Sequence, residues 1–266
     1  LFINKPLLMI ALNTTEDSFY AASRVQNTDA IINKATQMLN EGADILDIGA
    51  QSTRPESKRI SADEELKKLL PALEMLNKFF PDAIISIDTY HSKVAEMCVQ
   101  AGAAIINDIS GGEMDKDMIP TVGLLQVPYI CMHIKGVPET MQQQTHYEDV
   151  TKEVLDFFIK KNEECTQAGI HDLIFDPGFG FGKNISQNLL LLKNLRAFSI
   201  LGKPLMTGVS RKSTIYKILK VPVEDSLNGS TVLNTIALLN GASILRVHDV
   251  KEAREVVTLL NAYGNA

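Results

Sequence analysis

The sequence contains little cysteine and no cluster of positive charge. Three cysteines occur in 266 residues, widely spaced and without a Cys-x-x-Cys pair, so neither a disulfide framework nor a zinc site is indicated. This cysteine usage fits a reducing cytoplasm, where we expect the protein to act. The net charge is −6 and no Lys/Arg cluster stands out, which argues against a nucleic-acid-binding surface.

Long apolar runs are also missing. The apolar run near the start of the chain, residues 7–12, is too short to span a bilayer, and no signal-peptide cleavage pattern follows it. We therefore expect no membrane association. The first residue is Leu rather than Met, which is consistent with a missing leader. With 45% hydrophobic and 22% charged residues, the composition is that of an ordinary globular protein.

The glycine-rich segment 176–184, Asp-Pro-Gly-Phe-Gly-Phe-Gly-Lys-Asn, lacks the known nucleotide-binding patterns. A P-loop needs Gly where Pro177 stands and Ser or Thr where Asn184 stands, and the dinucleotide fingerprint needs a different glycine spacing. The segment instead predicts a buried strand that ends at Asp176, followed by a loop in which glycines allow close backbone approach to a ligand. The structural alternative is a tight strand-to-helix turn capped by Asp176.

Eight short apolar runs alternate with segments of helical periodicity. We predict strands at residues 7–12, 45–48, 83–87, 103–106, 127–132, 173–175, 204–206 and 244–247. We predict helices at residues 29–41, 62–80, 92–100, 150–168, 187–198 and 228–239, several of them followed by a C-capping Gly. Eight units of about 33 residues predict a single-domain α/β chain, a (β/α)8 TIM barrel over residues 1–266. An open doubly wound sheet is the alternative, but no run suggests an antiparallel edge hairpin.

Polar residues follow the predicted strands, and a barrel would gather them at one face. They are Asn13, Gln51, Asp88, Asn107, His133, Asp176, Lys212, Arg246 and His248. A single Asp or Asn after a strand is usually a cap. Polar residues from all eight strands on one face are difficult to explain by capping alone, so we expect a ligand site there.

The residue types suggest a flat heterocycle as ligand. Asp88 and Asp176 would repel each other unless the ligand supplies N–H donors, and a carboxylate pairs well with an amidine-like edge. Asn107 can donate and accept, Lys212 can donate to a ring carbonyl, and Arg246 can stack on the ring.

A second polar cluster suits a phosphate-type leaving group, with Mg²⁺ as a candidate counter-ion. It consists of Asn13, Arg54, Arg246 and His248. Because Arg246 and His248 are two positions apart at the end of a strand, their side chains point to the same side.

Eight motifs occur in a fixed order over nearly the whole chain. They are residues 13–19 (Asn-Thr-Thr-Glu-Asp-Ser-Phe), 47–55 (Asp-Ile-Gly-Ala-Gln-Ser-Thr-Arg-Pro), 87–89 (Ile-Asp-Thr), 106–109 (Ile-Asn-Asp-Ile), 132–133 (Met-His), 176–183 (Asp-Pro-Gly-Phe-Gly-Phe-Gly-Lys), 210–213 (Ser-Arg-Lys-Ser) and 246–249 (Arg-Val-His-Asp). In this order they resemble the motifs of the dihydropteroate synthases of folate biosynthesis. The resemblance implies a transferase that condenses 6-hydroxymethyl-7,8-dihydropterin diphosphate with p-aminobenzoate and releases pyrophosphate.

The resemblance also implies residue roles. Pterin-binding positions match Asp88, Asn107, Ile109, Met132, Asp176, Lys212 and Arg246. The p-aminobenzoate pocket matches Thr53, Arg54, Pro55, Phe181, Lys212 and Ser213. Diphosphate contacts match Asn13, Arg54, Arg246 and His248, with Asn13 as the Mg²⁺ ligand. Catalytic roles fall to Asp88, Asp176, Lys212, Arg246 and Asp17, the last on a mobile loop. The family further implies a homodimer and a sulfonamide target.

Two loops depart from the family pattern. Thr14 and Glu16 stand where Val and Pro are common, which removes a fixed φ angle and adds a charge. Ala50 and Gln51 replace a usual Gly-Glu pair. Because these changes affect loop closure and the sulfonamide surroundings rather than the pterin pocket, we expect activity to survive.

Three other functions compete with the synthase interpretation. A pterin-binding methyltransferase domain would share the pterin residues but would not need residues 52–55 and 210–213. An aldolase would use Lys212 as a Schiff-base lysine. A non-catalytic pterin-binding paralogue would bind pterin without turnover because its first loop no longer closes.

Overall fold

A computed structural model describes residues 3–13, 24–51 and 59–266. Strands and helices alternate through this part of the chain. The strands are β1 (Leu7–Asn13), β2 (Ile45–Gly49), β3 (Ile84–Asp88), β4 (Ile105–Asp108), β5 (Tyr129–Met132), β6 (Leu173–Asp176), β7 (Met206–Thr207) and β8 (Ile244–Val247). The helices are α1 (Arg24–Asn40), α2 (Ala62–Phe79), α3 (Ser92–Gln100), α4 (Met118–Leu125), α5 (Val150–Gln167), α6 (Ile185–Lys193), α7 (Ser213–Leu219), α8 (Leu227–Leu239) and α9 (Val250–Gly264).

The eight strands form one parallel sheet that curls into a barrel. Their order is β6-β5-β4-β3-β2-β1-β8-β7, so β1 pairs with both β2 and β8. A parallel bridge between Phe175 and Leu205 joins β6 to the segment before β7 and closes the circle. This arrangement confirms the (β/α)8 barrel and excludes the open doubly wound sheet.

Side chains of alternating direction fill the barrel in layers. One apolar layer inside it consists of Met9, Ile45, Ile105, Ile130, Ile174, Met206 and Ile244, all buried. Because side chains repeat their direction every second residue, the residues two positions further along point inward as well. Those residues include Asp47, Asn107, Asp176 and Arg246, so the layer above the apolar one is polar.

Local signals explain where several helices begin and end. Ser61 caps α2, and Asn184 caps α6, each in a reciprocal capping box with the residue three positions on. Positive φ angles of 86–102° occur at the glycines that follow four helices, as the sequence predicted. They are Gly42, Gly102, Gly169 and Gly241.

The structure differs from the sequence prediction in several elements. The predicted helix at 187–198 is two elements, α6 and a 3-10 helix at Leu195–Leu201. The predicted strand at 204–206 is a two-residue strand, Met206–Thr207. Helices α4, α7 and α9 were not predicted. None of the helices in the described ranges combines the length and apolar character needed to cross a membrane.

Candidate functional site

A network of hydrogen bonds between charged and polar side chains crosses the end of the barrel at which the strands terminate. We call this end the mouth of the barrel. Arg246, at the end of β8, donates from Nε to Asp47 Oδ2 at 2.8 Å and from Nη2 to Asp88 Oδ2 at 3.0 Å. Asn107 donates from Nδ2 to the same Asp47 oxygen at 3.0 Å. The structure thus brings Asp88, Asn107 and Arg246 together, as the strand-end pattern predicted.

Sequence analysis did not assign Asp47 to the site, although it lies in one of the motifs. Its side chain is 1% exposed, and its second oxygen, Oδ1, has no hydrogen-bond partner among the described residues. The signal that could have identified it is a carboxylate two positions after the inward-facing Ile45, within an otherwise apolar strand. A buried carboxylate oxygen without a partner is suited to accept an N–H or a water.

The charged side chains of this hydrogen-bond network shift one another's pKa values. Burial and, to a smaller extent, the neighbouring Asp47 carboxylate raise the pKa of Asp88 to about 7, against the opposing effect of Arg246. Burial lowers the pKa of Arg246, but Asp47 and Asp88 outweigh it and hold that pKa above its ordinary value. The guanidinium therefore stays charged and fixes the orientation of both carboxylates.

Asp176 and Lys212 form the other side of the mouth. Asp176 is buried and accepts the Gly178 backbone N–H at 2.8 Å. Burial raises the pKa of Asp176, and Lys212 opposes the rise. Burial lowers the pKa of Lys212 to about 8, with Asp176 acting in the opposite direction. The Lys212 ammonium donates to the Phe179 carbonyl and lies 4.7 Å from the centre of the Phe181 ring.

Two glycines, which have no side chain, leave space between these groups. Gly49 ends β2, and a Cβ there would lie 3.3 Å from Asp88 Cβ. Gly208 follows β7, and a Cβ there would lie 3.7 Å from Lys212 Nζ and 3.8 Å from Arg246 Cβ. Both glycines therefore keep the centre of the mouth open between the carboxylates and the cations.

An apolar wall lies beside the charged groups. Ile109 and Met132 are 5% and 3% exposed and form a small cluster with Tyr90. Phe181 packs against the same cluster. The structure thus brings together the two residues expected to line a pterin pocket and one expected to line a p-aminobenzoate pocket.

Three of the expected diphosphate residues are described: Asn13 at the end of β1, Arg246 on β8 and His248 just beyond it. Asn13 is exposed and pairs in register with Gly49 of β2. His248 lies just beyond β8, with Nδ1 3.3 Å from Ser210 Oγ. Burial lowers the pKa of His248, and Arg246 lowers it further, so this ring is neutral at pH 7. Ser213 begins α7 directly after Lys212.

Several expected site residues lie outside the described residues. They are Asp17, Thr53, Arg54 and Pro55, together with the substituted Thr14 and Glu16. Gln51, which adjoins them, accepts a hydrogen bond from the Tyr90 hydroxyl at 2.9 Å. Through Tyr90, Gln51 is tied to the apolar wall of the site.

The strand-end pattern predicted that His133 lies at the mouth of the barrel, but the structure places it elsewhere. It is 7% exposed and lies behind the glycine loop, where Nδ1 is 2.9 Å from Lys183 Nζ. Lys183, 2% exposed, was not predicted as a site residue. In the sequence, Lys183 lies between a glycine loop and the residue that caps α6, and nothing in that position predicts that its side chain is buried.

Comparison with known proteins identifies the family. The chain matches the family of pterin binding enzymes over residues 9–248. The dihydropteroate synthase of Haemophilus influenzae is 39% identical over 266 residues, which cover 99% of this chain and 96% of that protein. Folic acid synthesis protein fol1 of Schizosaccharomyces pombe is 41% identical, and the alignment covers 98% of this chain but 36% of that longer protein.

Solved structures show the same relationship. The Yersinia pestis dihydropteroate synthase in complex with a sulfonamide drug has a TM-score of 0.92 and 37% identity, covering 100% of this chain and 97% of that one. The Xanthomonas albilineans dihydropteroate synthase with 4-aminobenzoic acid has a TM-score of 0.91 and 33% identity, covering 100% and 96%. The chain therefore belongs to the pterin binding enzyme family and groups with its dihydropteroate synthases, which are transferases. The resemblance drawn from the motifs is confirmed.

Proposed function

We propose that the protein condenses 6-hydroxymethyl-7,8-dihydropterin diphosphate with p-aminobenzoate to give 7,8-dihydropteroate and pyrophosphate. The observation that carries this proposal is the chain of hydrogen bonds from Asn107 through Asp47 and Arg246 to Asp88, facing Asp176 and Lys212 across an open mouth. It supplies acceptors for ring N–H groups and donors for a ring carbonyl in one small space. Related structures that contain 4-aminobenzoic acid or 7,8-dihydropteroate support the same chemistry.

The pterin would bind between the two carboxylates. Its amidine-like edge suits Asp176, its carbonyl suits Lys212, and Asn107 can both donate and accept. The guanidinium of Arg246, fixed by two carboxylates, presents a plane on which the ring can stack. Ile109 and Met132 would supply the apolar wall.

The reaction needs no protein nucleophile. The bond between the pterin methylene carbon and the diphosphate oxygen breaks first, and its electron pair leaves with the diphosphate. Asp88 and Asp176 stabilise the positive charge that develops on the ring. The aromatic amine, held against Phe181 and Lys212, then forms the new C–N bond and loses its proton; we assign no base for that proton.

Mg²⁺ fits the residues at the end of β1 if the diphosphate supplies most of its ligands. The described residues contain no group of three or more His, Cys, Asp or Glu that could hold a metal. Mg²⁺ commonly binds one or two protein oxygens together with waters and substrate phosphates. The exposed amide oxygen of Asn13 suits such a site, and a bound Mg²⁺ would neutralise charge on the departing diphosphate. Arg246 and His248 would contact the same group.

Residues outside the described ranges complete the proposal. Thr53, Arg54 and Pro55 would line the p-aminobenzoate pocket with Phe181 and Ser213. Asp17 would close over the bound substrates. This second pocket is also where a sulfonamide would bind.

We further propose that the single domain, residues 1–266, works as a cytoplasmic homodimer. Support comes from apolar side chains on adjacent outer helices: Val232, Ile236 and Leu239 on α8 are 48%, 37% and 47% exposed, and Leu259 and Tyr263 on α9 are 70% and 77% exposed. Burial of such a surface favours association.

The test of the proposed activity is product formation. Purified protein is incubated with dihydropterin diphosphate, p-aminobenzoate and Mg²⁺, and dihydropteroate is measured by chromatography. The proposal predicts product only when both substrates are present. Tight pterin binding by calorimetry without product would instead indicate a non-catalytic pterin-binding paralogue.

A further inference from the structure

Lys183 is a buried lysine whose hydrogen-bond partners are all neutral. Its ammonium nitrogen lies 2.9 Å from His133 Nδ1, 3.3 Å from the His133 carbonyl, and 3.0 Å from the carbonyls of Gly178 and Phe181. None of these four partners is a carboxylate. Burying a charged ammonium is costly unless hydrogen bonds compensate for the lost water. The four contacts therefore define a specific arrangement rather than a chance position.

The contact with His133 fixes the state of the imidazole ring. Burial lowers the pKa of Lys183 to about 7, so the lysine is charged below that pH. A charged lysine can only donate, so Nδ1 of His133 then accepts and the ring proton lies on Nε2. Burial lowers the pKa of His133 well below its ordinary value, and Lys183 lowers it further. The ring therefore stays neutral, and it does not act as an acid or base in the reaction.

The carbonyl partners of Lys183 lie on two separate parts of the chain. His133 directly follows β5, whereas Gly178 and Phe181 belong to the glycine loop after β6. The loop also packs directly on β5, because a Cβ at Gly178 would lie only 1.9 Å from the His133 carbonyl oxygen. Lys183 thus fastens the glycine loop to the end of β5.

The fastened loop carries groups of the second half of the site. The Phe179 carbonyl accepts from Lys212, and the Phe181 ring lies 4.7 Å from the same ammonium. Asp176 is held differently: it pairs in register with Met132, and its carbonyl accepts from the His133 backbone N–H at 3.0 Å. A loop released by loss of Lys183 would displace Phe181 and the anchor of Lys212. The backbone of Asp176 would stay in the sheet, and its side chain would lose only the fixed position of the Gly178 N–H.

We propose that Lys183 is a positioning residue for the aromatic amine substrate: through His133 and the glycine-loop carbonyls it places Phe181 and Lys212 against the bound pterin. This inference rests on the proposed function of the site. It assigns Lys183 no contact with either substrate. Its effect falls mainly on the second substrate, because Asp88, Asn107 and Arg246 are held without any contact to the glycine loop.

The kinetic test compares two lysine-to-methionine variants. Lys183→Met removes all the hydrogen bonds of the Lys183 ammonium, and Lys193→Met, at the exposed end of α6, is the matched control. We expect Lys183→Met to raise KM for p-aminobenzoate by about tenfold or more, and to raise the Kd for dihydropterin diphosphate by a smaller factor, because Lys212 is only one of several pterin contacts. Lys193→Met should leave both constants unchanged. Equal losses in the two constants, or no loss, would overturn the positioning role.

A double variant tests whether Lys183 acts through His133. His133→Phe keeps a ring against Phe157, whose centre lies 4.9 Å away, but removes the Nδ1 acceptor. If the two residues act as one unit, adding His133→Phe to Lys183→Met raises KM for p-aminobenzoate no further. Additive increases would contradict the coupling.

An independent measurement covers the case in which Lys183→Met does not fold. Nitrogen-15 NMR of histidine-labelled wild-type protein, without substrates, reports the tautomer of each ring. We expect His133 to be neutral at pH 6, where Lys183 is charged, with its proton on Nε2. A ring protonated on Nδ1 would overturn the inference, and this result does not depend on the protein being a synthase. If turnover is absent, calorimetric binding of p-aminobenzoate to the pterin-loaded protein replaces KM.

Discussion

Arg246 holds two carboxylates from different strands at once, Asp47 at 2.8 Å and Asp88 at 3.0 Å. The first of these carboxylates also holds Asn107. Three residues expected to bind the pterin are therefore oriented through one buried aspartate that has no expected contact of its own. A substitution at Asp47 should therefore alter the orientation of all three side chains.

Asp47→Asn should weaken pterin binding by about tenfold or more. The substitution removes the negative charge that fixes Arg246 Nε and presents an amide N–H to neighbouring donors, so Arg246 and Asn107 lose their shared anchor. Calorimetric titration with the pterin substrate measures the loss.

Asp44→Asn is the matched control for Asp47→Asn. Asp44 also pairs with an arginine, Arg254, but just before β2, at the opposite end of the strand from Gly49. We expect it to lower the thermal midpoint without changing pterin affinity. Equal affinity losses in the two variants would contradict a local role for Asp47.

Pterin affinity should fall as the pH rises through about 8. Burial lowers the pKa of Lys212 to about 8 in the free protein, and a ring carbonyl binds the charged lysine better than the neutral one. The complex therefore holds more protons than the free protein above this pH, and binding weakens there. Titrations between pH 6 and 9 measure the effect. In Lys212→Met the fall should disappear; a fall of the same size would assign it to another group.

The glycine loop should tolerate no side chain at Gly178. Gly178 and Gly202 both have positive φ angles, 68° and 63°, so alanine at either position costs about 1–2 kcal/mol of backbone strain. Only at Gly178 does the new Cβ also meet a backbone oxygen, whereas nothing lies within 4 Å at Gly202. Denaturant unfolding should show a clearly larger loss for Gly178→Ala. Similar losses would mean that the loop readily moves away from β5.

A charge on α8 should dissociate the proposed homodimer. Ile236→Asp places a carboxylate in the exposed apolar face of α8 and should give a monomer by analytical ultracentrifugation. Leu124→Asp, on α4 at a residue 87% exposed, should leave the dimer intact. If the Ile236→Asp variant is still a dimer, the dimer interface does not include this face of α8.

Much of the fold could be predicted because its strands are buried on both faces and read as short apolar runs. Helix α4 was missed because its sequence, Met-Ile-Pro-Thr-Val-Gly-Leu-Leu, has almost no polar face and therefore no helical periodicity. The bounds of the two-residue strand β7 were predicted wrongly because pairing with the adjacent strands, rather than its own sequence, determines where so short a strand begins and ends.

The candidate site was predictable where residues follow strands and not where they depend on distant parts of the chain. The place of Asp88, Asn107 and Asp176 at strand ends was enough to predict that they meet at one end of the barrel. The burial of Lys183 could not be predicted, because it requires the glycine loop to fold against His133, fifty residues earlier in the sequence. Asp47 was overlooked because its role is to orient Arg246 across the barrel.

The most direct test of the proposed function is pyrophosphate release by wild-type protein and by Asp176→Asn, with dihydropterin diphosphate, Mg²⁺ and p-aminobenzoate. Asparagine can keep the bond to the Gly178 N–H while removing the charge, and Asp82→Asn, in the exposed turn before β3, is the control. We predict release that requires p-aminobenzoate, is unchanged in the control and falls about a hundredfold or more in Asp176→Asn. Release that does not need p-aminobenzoate, or that survives Asp176→Asn, would contradict the proposed synthase site.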